Sequence, residues 1–240
     1  MFYKDIFSGV KHDWSLNNQT HIQQSLQDDG LIILENITSK EDFLAQISHL
    51  GEIVYHFDST EDGLTHIVNY AETHNRADAA LSNRLGLTQG ALTPHTDRSG
   101  LETPPSLLAF WIESQSHNGG SSLFVDSHLV FEELSVINPE ATQILTRPNS
   151  VIFKSEKGLL ESSIFEIDQQ NLYVRFRFDK MVYFSTEVSQ VMPDLLKMIE
   201  KCTIRRKLGA GNGYILNNRR WLHGRTHFFG DRSAYRLLMK

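Results

Sequence analysis

The chain has 240 residues, 40% of them hydrophobic and 22% charged, with a formal net charge of −6 at pH 7. That is enough apolar material for a sizeable core, and an acidic balance without a basic face or stripe argues against a nucleic-acid partner. The single cysteine, Cys202, excludes an intramolecular disulfide and a cysteine-built metal centre; the absence of a signal core and of any apolar run near ~20 residues leads us to expect a cytoplasmic protein with no membrane contact.

Residues 17–30 (NNQTHIQQSLQDDG) read as a short helix, with Thr20 as N-cap, Ile22 and Leu26 four apart, and Gly30 as the stop. Residues 31–37 (LIILENI) have a buried-strand pattern. Residues 38–51 follow as a second helix, capped by Thr38 or Ser39, with Phe43, Leu44, Ile47 and Leu50 on one stripe. From residue 52 onward, short strand-like runs recur at 63–70, 106–114, 121–127, 150–154, 163–167, 171–178, 214–218 and 235–240, separated by Gly, Pro, Asn and Asp. Helical candidates at 127–146 and 185–202 interrupt them. With no internal repeat or flexible linker, the economical reading is one domain over 1–240: a mainly β, double-stranded β-helix (jelly-roll) core with flanking α-helices. Residues 71–93 lack a strand period and are long for an idle connector. An active-site lid or binding loop fits them, as does a surface helix around 77–85.

The segment LTPHTDRSG, residues 92–100, carries His95 and Asp97. In an extended chain they share a face with Cα atoms roughly 6.6 Å apart, close enough for an imidazole and a carboxylate to meet one cation. A third ligand is needed, and NNRRWLHGRTHFFGDRSAYRLLMK offers His223. His227 would lie about 13 Å from it in an extended segment, too far to share the ion, and is left to packing or surface. Two histidines and one carboxylate form the facial triad of non-haem Fe(II) oxygenases, although residue type alone leaves zinc and manganese open. Nine and thirteen residues past His223 stand Arg232 and Arg236, four apart. An arginine there can grip one end of a dicarboxylate such as 2-oxoglutarate while the other end chelates iron. Its bland alternative is an ion pair between Arg232 and Asp231.

PHTD, LHGRTHF and DRSAYR, together with NGGSSLFVD (residues 118–126) and the opening DDGLIILENITSKEDFLAQISHLGEI, resemble the iron- and 2-oxoglutarate-dependent oxygenases of the taurine dioxygenase and clavaminate synthase type. The resemblance runs over most of the chain. It implies iron held by His95, Asp97 and His223, 2-oxoglutarate held by Arg232 and the Ser122 hydroxyl, O2 as second co-substrate, and Arg236 on the substrate side. It further implies hydroxylation of an unactivated C–H with release of succinate and CO2. An aspartate at position 97 disfavours halogenation. The chain ends four residues past Arg236, so cover for the substrate from a C-terminal extension is not expected.

The run LYVRFRFDKM alternates, placing Arg175, Arg177 and Asp179 on one face. That face is either solvated or points into the barrel mouth. In the second case its mixed charges suit an amino acid or an amino-acid-derived metabolite as the small-molecule substrate, free or attached to a carrier protein. Arg225, two past His223, is balanced between the site and the surface. Competing functions are a desaturase or cyclase, a sulfonate-cleaving dioxygenase, and a metal-binding jelly roll without redox turnover.

Overall fold

The computed structural model describes residues 19–68 and 85–240. Residues 71–84 of the expected lid lie outside the described residues. Helix α1 (Gln19–Asp28) already contains Thr20, so that residue is helical rather than a cap. Gly30 ends it at φ 70°, with the Trp221 indole so close that a Cβ would lie 2.9 Å from it. Strand β1 (Leu31–Leu34) is buried throughout and stops short of Asn36, which turns to φ 61°. Helix α2 (Lys40–Ile47) starts on Ser39, whose hydroxyl accepts the Asp42 N–H at 3.1 Å, while the Asp42 carboxylate accepts the Thr38 N–H at 2.9 Å. This reciprocal cap satisfies donors that the first turn leaves open.

Strands β2 (Thr65–Val68), β3 (Leu92–His95), β4 (Leu107–Ser114), β5 (Asn118–Gly119) and β6 (Ser122–Asp126) follow. The helical stretch expected over 127–146 is two helices, α3 (Ser127–Ile137) and α4 (Pro139–Leu145). Asn138 ends the first and caps the second, its side chain accepting the Ala141 N–H at 3.1 Å, and Pro139 occupies the first turn, where no donor is needed. Strands β7 (Val151–Ser155), β8 (Gly158–Ser162), β9 (Phe165–Asp168), β10 (Asn171–Val174) and β11 (Val182–Phe184) lead to α5 (Thr186–Lys201). The chain closes with β12 (Ile204–Arg206), β13 (Gly213–Asn217), β14 (Trp221–Arg225), β15 (Phe228–Phe229) and β16 (Ser233–Met239). The strand expected over 171–178 ends at Val174. Beyond it the Arg175 N–H goes to the Ile164 carbonyl and the Phe176 N–H to the Thr96 hydroxyl, so the pairing with β9 does not continue.

Two antiparallel sheets form the jelly roll. One has the order β1-β13-β4-β16-β2, and the other β12-β6-β14-β3. Side-chain alternation assigns every strand two faces. Leu108, Phe110 and Ile112 of β4, Tyr214 and Leu216 of β13, and Ala234 and Leu238 of β16 join Phe124 and Trp221 of the second sheet in the core between the sheets. The opposite faces, with Ala109, Trp111, Ile215 and Leu237, pack on Ile22, Leu26, Phe43 and Ile47 of α1 and α2. On the far side, Val125 and Leu222 bury under α3, α4 and α5. Each such large apolar side chain contributes about 1.5–3 kcal/mol through burial. No described helix is long and apolar enough to cross a membrane.

Candidate metal centre

Alternation along β14 turns Trp221, His223 and Arg225 inward, and only the first of these is apolar. In register, His223 faces His95 of β3 on one side and Phe124 of β6 on the other, and Arg225 faces Ser122. On β16 the inward series Ala234, Arg236, Leu238 also carries one cation. The apolar interior of the sandwich therefore becomes polar at one end. Gly224 lets β3 come this close: a Cβ there would lie 2.5 Å from the Leu92 carbonyl oxygen.

His95 Nε2 is 3.5 Å from Asp97 Oδ1, and His223 Nε2 is 4.0 Å from the same oxygen. One donor atom from each of the three residues lies within 4.8 Å of the others. Ligands at right angles around an ion at ~2.1 Å stand ~3 Å apart, so a small inward movement completes a site. His95 Nδ1 lies 2.9 Å from the Thr93 carbonyl oxygen. Donating its proton there leaves the Nε2 lone pair for a metal. Burial, followed by the neighbouring His95, pushes the His223 imidazole down to about 3, so it is neutral and able to ligate. Burial pushes the Asp97 carboxyl up, but Arg236, helped by the two histidines, outweighs it and holds the group well below the usual range. Arg236 Nη1 donates to Asp97 Oδ2 at 2.8 Å. Asn218, 1% exposed, holds the Asp97 backbone: its Oδ1 accepts the Asp97 N–H at 2.7 Å and its Nδ2 donates to the Asp97 carbonyl at 3.0 Å. Two imidazoles and a carboxylate are a donor set suited to Fe(II) with open positions.

The three donors border a cavity of about 480 Å³. Phe110, Ser122, Tyr214, Arg225 and Arg232 also line it. Arg232 is buried with its Nε unpartnered, and among the described residues no carboxylate pairs with it. Asp231 is exposed and does not reach it. The rings of Phe110 and Phe228 lie 5.5 and 5.8 Å from its guanidinium carbon, and burial pushes its pKa down to about 10. A desolvated guanidinium without an anion is a receptor for one.

Over residues 8–239 the sequence matches the family described as "Taurine catabolism dioxygenase TauD, TfdA family". The chain belongs to the TauD/TfdA family. Among curated TauD/TfdA relatives, the gamma-butyrobetaine dioxygenases of Homo sapiens and Pongo abelii are each 27% identical, over 80% of this chain and 52% of theirs. The chain thus spans about half the length of the curated relatives it matches. An asparagine oxygenase in complex with Fe(II), 3-hydroxyasparagine and succinate superimposes with TM-score 0.76 at 13% identity, over 94% of this chain and 80% of that one. The non-heme iron oxygenase OrfP in complex with Fe and alpha-ketoglutaric acid gives 0.70 at 14%, over 93% and 79%. At these identities the likeness is one of fold.

Within this TauD/TfdA chain, the remaining residues singled out from sequence fall in different places. Arg177 and Asp179 line the mouth of the cavity and pair with each other through two bonds of 2.9 and 2.6 Å. The Arg175 guanidinium donates to the carbonyls of Ser99 (2.6 Å), Leu101 and Glu102 (3.2 Å), clamping the loop after Asp97. His227 is exposed and packs edge-on against Phe229. Arg225 is buried, donating to the Thr88 and Gly90 carbonyls at 2.6 and 2.7 Å. Burial, followed by Arg232, pushes its pKa down to about 9. Asn218 and the Arg98–Glu156 pair at the mouth went unnoticed in the sequence, since each acts through partners far away in the chain, and so did His56, whose His-x-Asp spacing with Asp58 carries no sign of burial.

Proposed function

We propose that the protein is an Fe(II)- and 2-oxoglutarate-dependent dioxygenase. Its reaction is hydroxylation of an unactivated C–H of a small polar molecule, an amino acid or amino-acid-derived metabolite, with release of succinate and CO2. The observation that carries this reading is one cavity bordered by both the His95, Asp97, His223 donor set and the buried Arg232, which no carboxylate of the described residues pairs with. When bound, iron and 2-oxoglutarate supply the dioxygen chemistry that side chains lack. The chain's own residues bind and orient. His95, fixed through Thr93, and Asp97, fixed through Asn218 and Arg236, present their donors beside neutral His223. Arg232 holds the distal carboxylate of the co-substrate through its planar fork, with the Ser122 hydroxyl beside it. Arg236 keeps Asp97 ionised and borders the substrate space, and the Arg177–Asp179 pair faces it from the mouth. The apolar walls exclude water from the reacting end. An amino-acid substrate is supported by the named ligands of the similar structures, 3-hydroxyasparagine and (3S)-hydroxy-L-Arg.

The test is an anaerobic titration of apoprotein with Fe(II) and 2-oxoglutarate, following the weak visible metal-to-ligand charge-transfer band. The band is expected in the native chain and absent in His95→Ala. Arg232→Ala should weaken 2-oxoglutarate at least about 30-fold, because it removes a desolvated ion pair. Iron bound by well-folded protein without a band would overturn the reading in favour of a metal site with no oxo-acid chemistry.

A further inference from the structure

We infer that the Tyr214 hydroxyl is a further binding group of the oxo-acid site. It donates to the co-substrate carboxylate that Arg232 grips, and so helps select 2-oxoglutarate over oxo acids without that carboxylate. This rests on the oxygenase reading above and adds a residue to its co-substrate site.

The ring and the hydroxyl of Tyr214 have different tasks. Strand β13 turns the side chain inward, 3% exposed and in register with Phe110 of β4. Its ring stacks on Phe110 at 5.2 Å and meets Phe124 edge-on at 4.9 Å. A phenylalanine ring would fill that slot equally well, so packing does not account for the oxygen. Buried hydroxyls normally have a hydrogen-bond partner. No described residue bonds the Tyr214 hydroxyl, and the side chain borders the cavity that holds the metal donors.

The hydroxyl stands where the oxo acid is expected. The Arg232 guanidinium carbon lies 5.5 Å from the centre of the same Phe110 ring on which Tyr214 stacks. Burial pushes the Tyr214 pKa up, with Asp97 adding to the rise and Arg232, Arg236 and Arg225 opposing it. In return, burial lowers the Arg232 pKa and the Tyr214 hydroxyl counters it. The hydroxyl therefore sits within electrostatic reach of both the anchor and the metal ligand, and it stays protonated as a donor.

A carboxylate offers about four acceptor positions, and a bidentate guanidinium fork leaves some of them open. Between the rings of Phe110 and Phe228, acceptors left open cost affinity unless side chains donate to them. Ser122, in register with Arg225, brings one hydroxyl to this end, and Tyr214 brings another. Arg225 itself is tied through Nη2 to the Thr88 and Gly90 carbonyls.

The experiment compares the native chain with Tyr214→Phe, each loaded anaerobically with Fe(II). Three ligands are titrated: 2-oxoglutarate; 2-oxopentanoate, which keeps the chelating end but lacks the distal carboxylate; and succinate, which keeps that carboxylate but lacks the oxo-acid end. Calorimetry reads all three, and the charge-transfer band reads the two oxo acids. Denaturation midpoints check that the variant is folded. Tyr214→Phe should bind 2-oxoglutarate and succinate about tenfold or more weakly, as loss of a hydrogen bond to a charged group predicts, and 2-oxopentanoate within about twofold of native. A change of less than about twofold for 2-oxoglutarate, or an equal loss for 2-oxopentanoate, overturns the inference and leaves Tyr214 a packing role. The native band would then still uphold the oxygenase reading. A native chain that binds iron but gives no band with 2-oxoglutarate overturns that reading and the inference with it.

Discussion

Asn218 holds the main chain of Asp97 by an accepted and a donated hydrogen bond, and its amide nitrogen also reaches the Pro105 carbonyl at 2.9 Å. Replacing it with alanine leaves one buried N–H and two buried carbonyls without their partner. Asn218→Ala is therefore expected to lose about 3 kcal/mol of folding stability and to weaken metal binding about 10- to 100-fold, as loss of an outer support of a ligand does. Chemical denaturation and a metal titration check the two effects. Unchanged metal affinity in a destabilised variant would confine Asn218 to the fold. Arg175 and Arg232 make an instructive contrast, since both are arginines singled out from the sequence. The first spends its donors on three backbone carbonyls, whereas the second has no anionic partner among the described residues. Arg175→Ala should accordingly lower stability by about 2–4 kcal/mol and leave 2-oxoglutarate affinity within about twofold. A large loss of co-substrate affinity at native stability would assign Arg175 to the co-substrate site and not to the fold.

At the scale of the element, β14 delivers His223 because Gly224 allows it to lie against β3. A methyl group at 224 would stand 2.5 Å from the Leu92 carbonyl oxygen and 3.0 Å from the Pro94 nitrogen. Gly224→Ala should push β3 outward, separating His95 from His223, with about 1–3 kcal/mol of destabilisation and at least about tenfold weaker metal binding. Native metal affinity in that variant would mean that the β14–β3 contact does not set the ligand spacing. Strands β4, β13 and β16 were legible in the sequence as short runs punctuated by turn residues, a pattern that depends only on neighbouring residues, and His-x-Asp was legible because its members stand two apart. The run 171–178 misled for the same reason. Its apolar–polar alternation continues past Val174, but the hydrogen-bond partner changes from β9 to Ile164 and Thr96, a tertiary fact absent from the local pattern. Likewise, the helix expected over 127–146 runs straight through Asn138, and only its hydrogen bonds, the N–H to the Leu134 carbonyl and the side chain to the Ala141 N–H, show that it ends one helix and caps the next. Asn218 and Glu156 were not legible, as their meaning comes from partners 121 and 58 residues away.

For the whole molecule, two helical layers around two sheets leave one end of the sandwich free for charge, and that concentration affects stability as well as binding. His56 lies at this end, 13% exposed in its side chain, with its Nδ1 accepting the Asp58 N–H at 3.2 Å. Burial, then Arg236 and Arg98, push its pKa down from 6.5 to about 4, against a smaller upward pull from Asp58 and Asp97. The unfolded chain takes up this proton near pH 6.5, and the folded chain only near 4. Between those values the unfolded state binds more protons, so the contribution is fully present above pH 6.5 and is lost as pH falls towards 4. Protonation would also remove the Nδ1 lone pair that accepts from Asp58. Denaturation midpoints measured from pH 7 to pH 4 should fall along this limb. His56→Gln, which keeps an acceptor but cannot titrate, should flatten it without matching the native stability at pH 7. An equally steep limb in the variant would assign the acid sensitivity to other groups and remove the positive end of the sandwich as its cause.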